Sequence, residues 1–216
     1  REFCKGMLYE YNRVSPMDKD SRDLILKKLL NCKGELCIEQ PFYCSYGYNI
    51  TIGLNFYSDV NLTILDQGGV SIGDNVILGP NVNIYTASHP YNEVQRIKGL
   101  EYAKPVKIYD NVWIGGNVTI LPGVKINQGA IIGAGSVVTH DIPPYVIAVG
   151  NPCEVVRSIT KEDVQLKIGR KKHLTMRCFF YLIFLQFEKL INSMLLSSMN
   201  FLISGDKINS NFFHSW

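Results

Sequence analysis

This chain has little of what marks several common protein classes. There is no long block of one charge: 22 basic against 19 acidic residues leave a formal charge of +3, too small and dispersed to argue for a nucleic-acid partner. The densest basic stretch, Arg170, Lys171 and Lys172 with Arg177 nearby, is expected to be a solvated or tail segment. The six cysteines, at 4, 32, 37, 44, 153 and 178, contain no Cys-x-x-Cys pair. That argues against a disulfide framework or a zinc ribbon and makes a reducing compartment, the cytoplasm, the expected location. No apolar run reaches the roughly 18 residues of a membrane helix. Gln186, Glu188, Lys189 and Asn192 interrupt the richest stretch, so no membrane span is expected. No amino-terminal secretory signal is visible, and a chain starting at Arg1 is expected to be a fragment or a trimmed form.

What the chain does have is a six-residue clock. Between Ile108 and Pro143 an aliphatic residue returns at Ile108, Ile114, Ile120, Ile126, Ile132 and Val138, often followed by Gly, Asn or Asp. A helix repeats at about 3.6 residues and a simple strand alternates. Self-similarity at six predicts a parallel β-helix, each hexad being one short strand and one turn. The aliphatic side chain points into the coil, and the residue two before it tends to lie on the same strand. Gly, Asn and Asp supply the corners because they tolerate positive φ.

Four parts follow along the chain. Residues 1–40 lack the clock and are expected to form a helical cap. Leu24–Leu30 reads as a short amphipathic helix, with Ser15 or Asp18 as its cap and Gly34 as its stop, covering an open end or side of the solenoid. Residues 41–158 are expected to be the β-helix. Its coils begin imperfectly at Asn49–Gly53 and Asn61–Asp66, lock into register over Ile72–Asn83 and stop at Ile84. Residues 85–107 interrupt it with an extended loop carrying His89 and Glu101. Such a loop is costly to order and usually functional, and solenoid insertions often emerge on a binding face. Residues 159–216 form a divergent extension with the apolar octet Cys178–Leu185. Its composition leaves three readings: a helix packed on the solenoid or a partner chain, an interfacial amphipathic helix, or a poorly ordered tail.

An ordered set of motifs then carries a resemblance. From Gly6 to about Glu162 the chain resembles the maltose and galactoside O-acetyltransferases of the hexapeptide-repeat acyltransferase superfamily. The matching stretches are Gly6–Asn12, Pro41–Asn49, Gly73–Val82, Ala87-Ser-His-Pro90, Gly99-Leu-Glu-Tyr102, Lys104-Pro-Val106, Asp110–Gly116, Pro122-Gly-Val124, Ile132–Thr139 and Gly150-Asn-Pro152. The resemblance implies a mainly β fold, a left-handed parallel β-helix, assembled as a homotrimer with three sites between adjacent subunits. It implies acetyl-CoA along the coil groove, a sugar acceptor under the extended loop, and direct transfer in a ternary complex without an acyl-enzyme or a required metal.

Residue types agree with that chemistry. A sugar hydroxyl is a poor nucleophile at neutral pH, and imidazole is the side chain suited to take its proton. His89 is the histidine of the interrupting loop and the expected general base; Glu101 is expected to hold its tautomer and stabilise the imidazolium. A backbone N–H at Gly115 or Gly116 is the expected oxyanion donor. The resemblance places the acceptor at Ser45, Asp59 and Gln67, although Asp59 stands where the family usually has Asn and Gln67 where the galactoside enzymes have an acid. It places coenzyme A at Trp113, Gly116, Ala134, Thr139, His140, Glu154 and Arg157. Here His140 replaces a usual Lys and Glu154 a usual Arg, while Arg157 keeps a cation able to meet phosphate. Three rivals stand beside this reading. A γ-type carbonic anhydrase needs three zinc-binding histidines where the repeat region has His89 and His140. A hexapeptide enzyme for serine, a lipopolysaccharide sugar or a xenobiotic, and a trimeric scaffold that has lost catalysis, complete the set.

Overall fold

The computed structural model describes residues 1–164, so the extension expected over 159–216 lies, past that point, outside the described residues. Three parallel sheets run along the described chain. The first stacks Asn31–Cys32, Ile50–Ile52, Val70–Ile72, Val106–Ile108 and Lys125–Ile126. The second stacks Leu36–Ile38, Phe56–Ser58, Ile77–Leu78, Trp113–Ile114, Ile131–Ile132 and Val146–Val149, and Glu154–Ser158 joins its end antiparallel. The third stacks Phe42–Cys44, Leu62–Leu65, Asn83–Tyr85, Thr119–Ile120 and Val137–Val138. The chain visits them in the order first, second, third, first, which makes each circuit one coil of a three-sided parallel β-helix.

Strands of two to four residues have almost no stability alone, and burial holds them. At each hexad the aliphatic residue and the one two before it both face inward: Val112 with Ile114, Val118 with Ile120, Val124 with Ile126 and Ala130 with Ile132 are all buried. Each such valine or isoleucine contributes about 2 kcal/mol relative to exposure, and stacked coils share the core so formed. Asparagine turns the corners. Asn55, Asn75 and Asn111 take positive φ on successive coils and chain their amides, Asn55 Nδ2 to Asn75 Oδ1 and Asn75 Nδ2 to Asn111 Oδ1, both at 3.0 Å.

Ladder register explains why the clock is clear in the later coils alone. Ile108 pairs with Ile126 and Ile114 with Ile132, eighteen residues on, which is three hexads per coil. In the earlier coils Ile52 pairs with Ile72 and Ile64 with Ile84, twenty residues on. The surplus falls at the corner between the third and first sheets, at residues 45–49 and again at 66–69. The long insertion enters at that same corner, so Ile72 reaches Ile108 and Ile84 reaches Ile120 after thirty-six residues. Coils of twenty dephase a six-residue repeat, which hid the first rungs. Parallel pairing begins at Asn31–Cys32, ahead of the Pro41 boundary expected from the repeat.

Two helices precede the coils, α1 (Glu2–Tyr11) and α2 (Lys19–Leu29). The second contains most of the helix predicted over Leu24–Leu30; Asp18 is its cap, accepting from Ser21 N–H at 3.1 Å, and it ends before Gly34. Cys4, Leu8 and Tyr11 of α1 and Leu26 and Leu29 of α2 are buried with the first coil. Polar groups close the edge that a first rung would leave open. Asn12 Nδ2 donates to the Phe42 carbonyl at 3.0 Å while its Oδ1 accepts from Phe42 N–H at 2.9 Å. The Tyr11 hydroxyl donates to the Ile38 carbonyl, as does Arg22 Nη2 at 2.8 Å, and burial pushes the Tyr11 phenol up to about 12.

Candidate active site

The insertion leaves the third sheet after Asn83–Tyr85 and returns to the first at Val106–Ile108. Ala87–Ser88 pairs antiparallel with Tyr102–Ala103, and a short helix α3 (Glu93–Ile97), capped by Asn92, lies between. Closing this hairpin brings His89 and Glu101 together, Nε2 to Oε1 at 3.8 Å, with 59% and 52% of the two side chains exposed. His89 Nδ1 lies 3.4 Å from the Leu100 carbonyl. A carbonyl has no proton to give, so in a neutral ring this contact makes Nδ1 the N–H and leaves the lone pair on Nε2. Geometry thus divides the two roles expected of Glu101: the Leu100 carbonyl selects the tautomer, and the carboxylate stands beside the nitrogen that would gain charge.

The insertion is rooted on the coil below it. Buried Thr86 donates through Oγ1 to the Leu65 carbonyl at 2.5 Å and accepts from Gly68 N–H at 2.8 Å, while its carbonyl accepts from Lys104 N–H at 2.8 Å. Gly68 has to be bare there, since a Cβ would stand 2.9 Å from the Lys104 backbone. Asp66, fully buried, accepts from the N–H groups of Ser45, Tyr46 and Gly47, each at 2.9 Å, and so fixes the turn that carries Ser45. Gln67 follows, its Oε1 buried with no hydrogen-bond partner. Ser45, Gln67, His89 and Glu101 therefore occupy neighbouring levels of one edge, between the third and first sheets.

Asp59 does not join them. It follows Phe56–Ser58 and lies on the edge between the second and third sheets, with Oδ1 accepting from Val60 N–H at 2.8 Å. Along that edge the ladder runs from Asp59 N–H to Leu78 O at 3.0 Å, Gly79 to Ile114 at 2.8 Å, Gly115 to Ile132 at 2.8 Å and Gly133 to Ala148 at 2.9 Å. Gly116 and Ala134 are the next residues outward along it. Trp113, 53% exposed, stands beside it on the second sheet in register with exposed Ile77. Gly115 N–H is committed to the ladder, so of the two expected oxyanion donors Gly116 is the one the ladder leaves.

Beyond the last regular coil, Thr139 Oγ1 lies 2.9 Å from His140 Nδ1, and His140 Nε2 lies 3.9 Å from Glu154 Oε2. Arg157 grips Asp163 through Nη1 and Nη2, both at 2.7 Å, which holds that carboxyl well below the usual carboxylate range. Among the described residues, no group of three or more His, Cys, Asp and Glu side chains is placed to hold a metal ion. No described helix is long and apolar enough to cross a membrane.

Residues 105–140 match the family model described as bacterial transferase hexapeptide (six repeats). A Saccharomyces cerevisiae relative is 54% identical over 164 residues, 76% of this chain and 84% of its own. The galactoside O-acetyltransferase of Escherichia coli is 46% identical over 160 residues, 74% of this chain and 79% of that enzyme. Among solved structures, a maltose O-acetyltransferase from Clostridium difficile 630 is 48% identical with a TM-score of 0.73, covering 74% of this chain and 87% of its own. A galactoside acetyltransferase in complex with coenzyme A is 42% identical with a TM-score of 0.76, covering 81% and 88%. By repeat, coil and likeness across most of their length, this chain belongs to the galactoside and maltose O-acetyltransferase family of hexapeptide-repeat transferases.

Proposed function

We propose that this chain moves an acetyl group from acetyl-CoA to a hydroxyl of a sugar of the maltose, glucose or galactoside kind. The reading places the sites between adjacent copies of a homotrimer, in the cytoplasm. The observation that carries it is the His89–Glu101 pair, 3.8 Å apart on the corner insertion of a chain with these relatives.

His89 Nε2 takes the acceptor's proton as the hydroxyl oxygen forms its bond to the acyl carbon, and gives that proton to the departing sulfur as the carbon–sulfur bond breaks. Acetyl-CoA supplies the activated acyl group. Glu101 faces the imidazolium in between, and Gly116 N–H donates to the charge growing on the carbonyl oxygen. Ser45 and the amide side chain of Gln67 supply hydrogen-bonding groups beside the loop, which suits a polyhydroxyl acceptor. Trp113 and Ile77 give an apolar strip for the donor's arm, beside the small residues Gly116 and Ala134. A Cβ at Gly116 would meet Pro80 at 3.1 Å, so this corner keeps its backbone bare for close approach. Thr139, His140 and Arg157 make the polar end.

The two edges support a shared site. The base and Ser45 stand on one edge, Asp59, Gly116 and Ala134 on another, and the third sheet separates them by roughly 15 Å at about 3.3 Å per residue. A neighbouring copy that sets its second–third edge against the loop closes this gap. The first sheet is left to water, since Lys107 and Lys125 are both exposed and paired side by side in its ladder, where burial would cost several kcal/mol per unpaired ion.

Thiol release from acetyl-CoA against maltose, glucose, galactosides and serine, run beside His89→Ala, tests the reading. Turnover is expected with at least one sugar and lost in the variant. Turnover with serine alone moves the acceptor class, and a flat panel favours a scaffold.

A further inference from the structure

We infer that Asp163 competes from within the chain for the donor's phosphate groups at Arg157, making it a specificity-determining residue that weakens coenzyme A binding. This rests on the acetyltransferase reading, in which Arg157 is the cation that meets phosphate. A guanidinium recognises a phosphate or carboxylate best through two parallel N–H bonds from its terminal nitrogens. In Arg157 that fork is already taken: Nη1 reaches Asp163 Oδ2 and Nη2 reaches Asp163 Oδ1, both at 2.7 Å, and Nη1 also donates to the Ser158 carbonyl at 3.1 Å.

The occupying carboxylate is positioned rather than free. Asp163 lies in the short 3-10 turn Lys161–Val164, and its Oδ2 accepts from Thr160 N–H at 2.8 Å and from Thr160 Oγ1 at 3.4 Å. The turn therefore presents a carboxylate to Arg157 in the geometry a phosphate oxygen pair would adopt. At the neighbouring position, where the resemblance expects a lysine, His140 Nε2 lies 3.9 Å from Glu154 Oε2, a looser contact than the Arg157 fork. Both basic side chains expected at this end of the coil thus have an acid of the same chain against them.

A phosphate monoester carries about −1.5 to −2 at neutral pH and outcompetes a single carboxylate. It must still displace it. The Arg157 and Asp163 side chains are 48% and 31% exposed, and pairs this exposed are weak, so the competition amounts to about threefold in affinity.

Calorimetric titration of coenzyme A into the full chain, its Asp163→Asn variant and the double variant with Arg157→Gln tests this. Asp163→Asn is expected to tighten coenzyme A about threefold and to lower KM for acetyl-CoA equally, with kcat unchanged. KM for S-acetylpantetheine, which has no phosphate, is expected to stay fixed, and adding Arg157→Gln should remove the gain. A merely structural Asp163 would shift both donors together. Asp163→Asn that keeps the wild-type melting transition yet binds coenzyme A no more tightly overturns the inference. A wild type that binds no coenzyme A and turns over no acetyl-CoA overturns the acetyltransferase reading, and the inference with it.

Discussion

Two edges of one coil are built by opposite rules. Between the second and third sheets, Asp59, Gly79, Gly115 and Gly133 succeed one another as single residues in an unbroken ladder. Between the third and first sheets the corner holds residues 45–49 and 66–69 in the early coils and then the whole of 86–105, so that Tyr85, Val106 and Lys107, expected in the loop, belong to the ladder. The uniform edge keeps backbone bare and small, which suits a long thin donor lying along it. The swelling edge brings side chains from distant parts of the sequence to one place, which suits an acceptor and a base. A repeat protein gains chemistry here by lengthening one corner while the other two keep the register.

The largest expected effect falls on the swelling edge. His89→Ala should lower kcat by about 10²- to 10⁴-fold and leave KM for acetyl-CoA within about twofold, read by steady-state thiol release. A KM effect of comparable size would blur the distinction between the edges. Glu101→Gln should cost less, about fivefold in kcat, because a half-exposed pair at 3.8 Å is worth about 1 kcal/mol. The Leu100 carbonyl would still hold the tautomer in that variant.

The cap below both edges gives the smallest and purely structural effect. Tyr11→Phe removes the bond to the Ile38 carbonyl and should lower stability by about 1 kcal/mol at neutral pH, measured by urea unfolding. Its pH signature has a definite sign. Burial raises the phenol from 10.0 to about 12, so the folded state keeps a proton that the unfolded state releases in that window. Stability from Tyr11 is complete below pH 10, is lost as pH rises toward about 12, and that loss should be absent in Tyr11→Phe.

What the sequence disclosed divides along the same line. The uniform coils were legible because eighteen-residue circuits keep Ile108, Ile114 and Ile120 in step with Ile126, Ile132 and Val138. Circuits of twenty hid the rungs at Asn31–Cys32 and Leu36–Ile38, and α1, whose Arg1 cap makes no side-chain hydrogen bond, gave no start signal. His89 and Glu101 could be picked out because they interrupt a regular pattern. Asp66 and Thr86 could not, since their work is to receive and supply backbone hydrogen bonds across coils, and such partners are unknown until register is known. The Leu100 carbonyl has no side-chain signal at all. Asp59 shares a proposed role with Ser45 and Gln67 but not an edge, a separation that depends on which corner follows which strand.

The central claim is that base and donor edge meet across two copies of the chain. His89→Ala and Ala134→Trp, the second placing bulk on an exposed donor-edge residue, should each be nearly inactive as pure proteins. Co-refolded in equal amounts, they should recover about a quarter of wild-type turnover, because random assembly sets two intact edges together at one junction in four. Mixed oligomers that stay as inactive as either parent would place the whole site within a single chain and contradict the account.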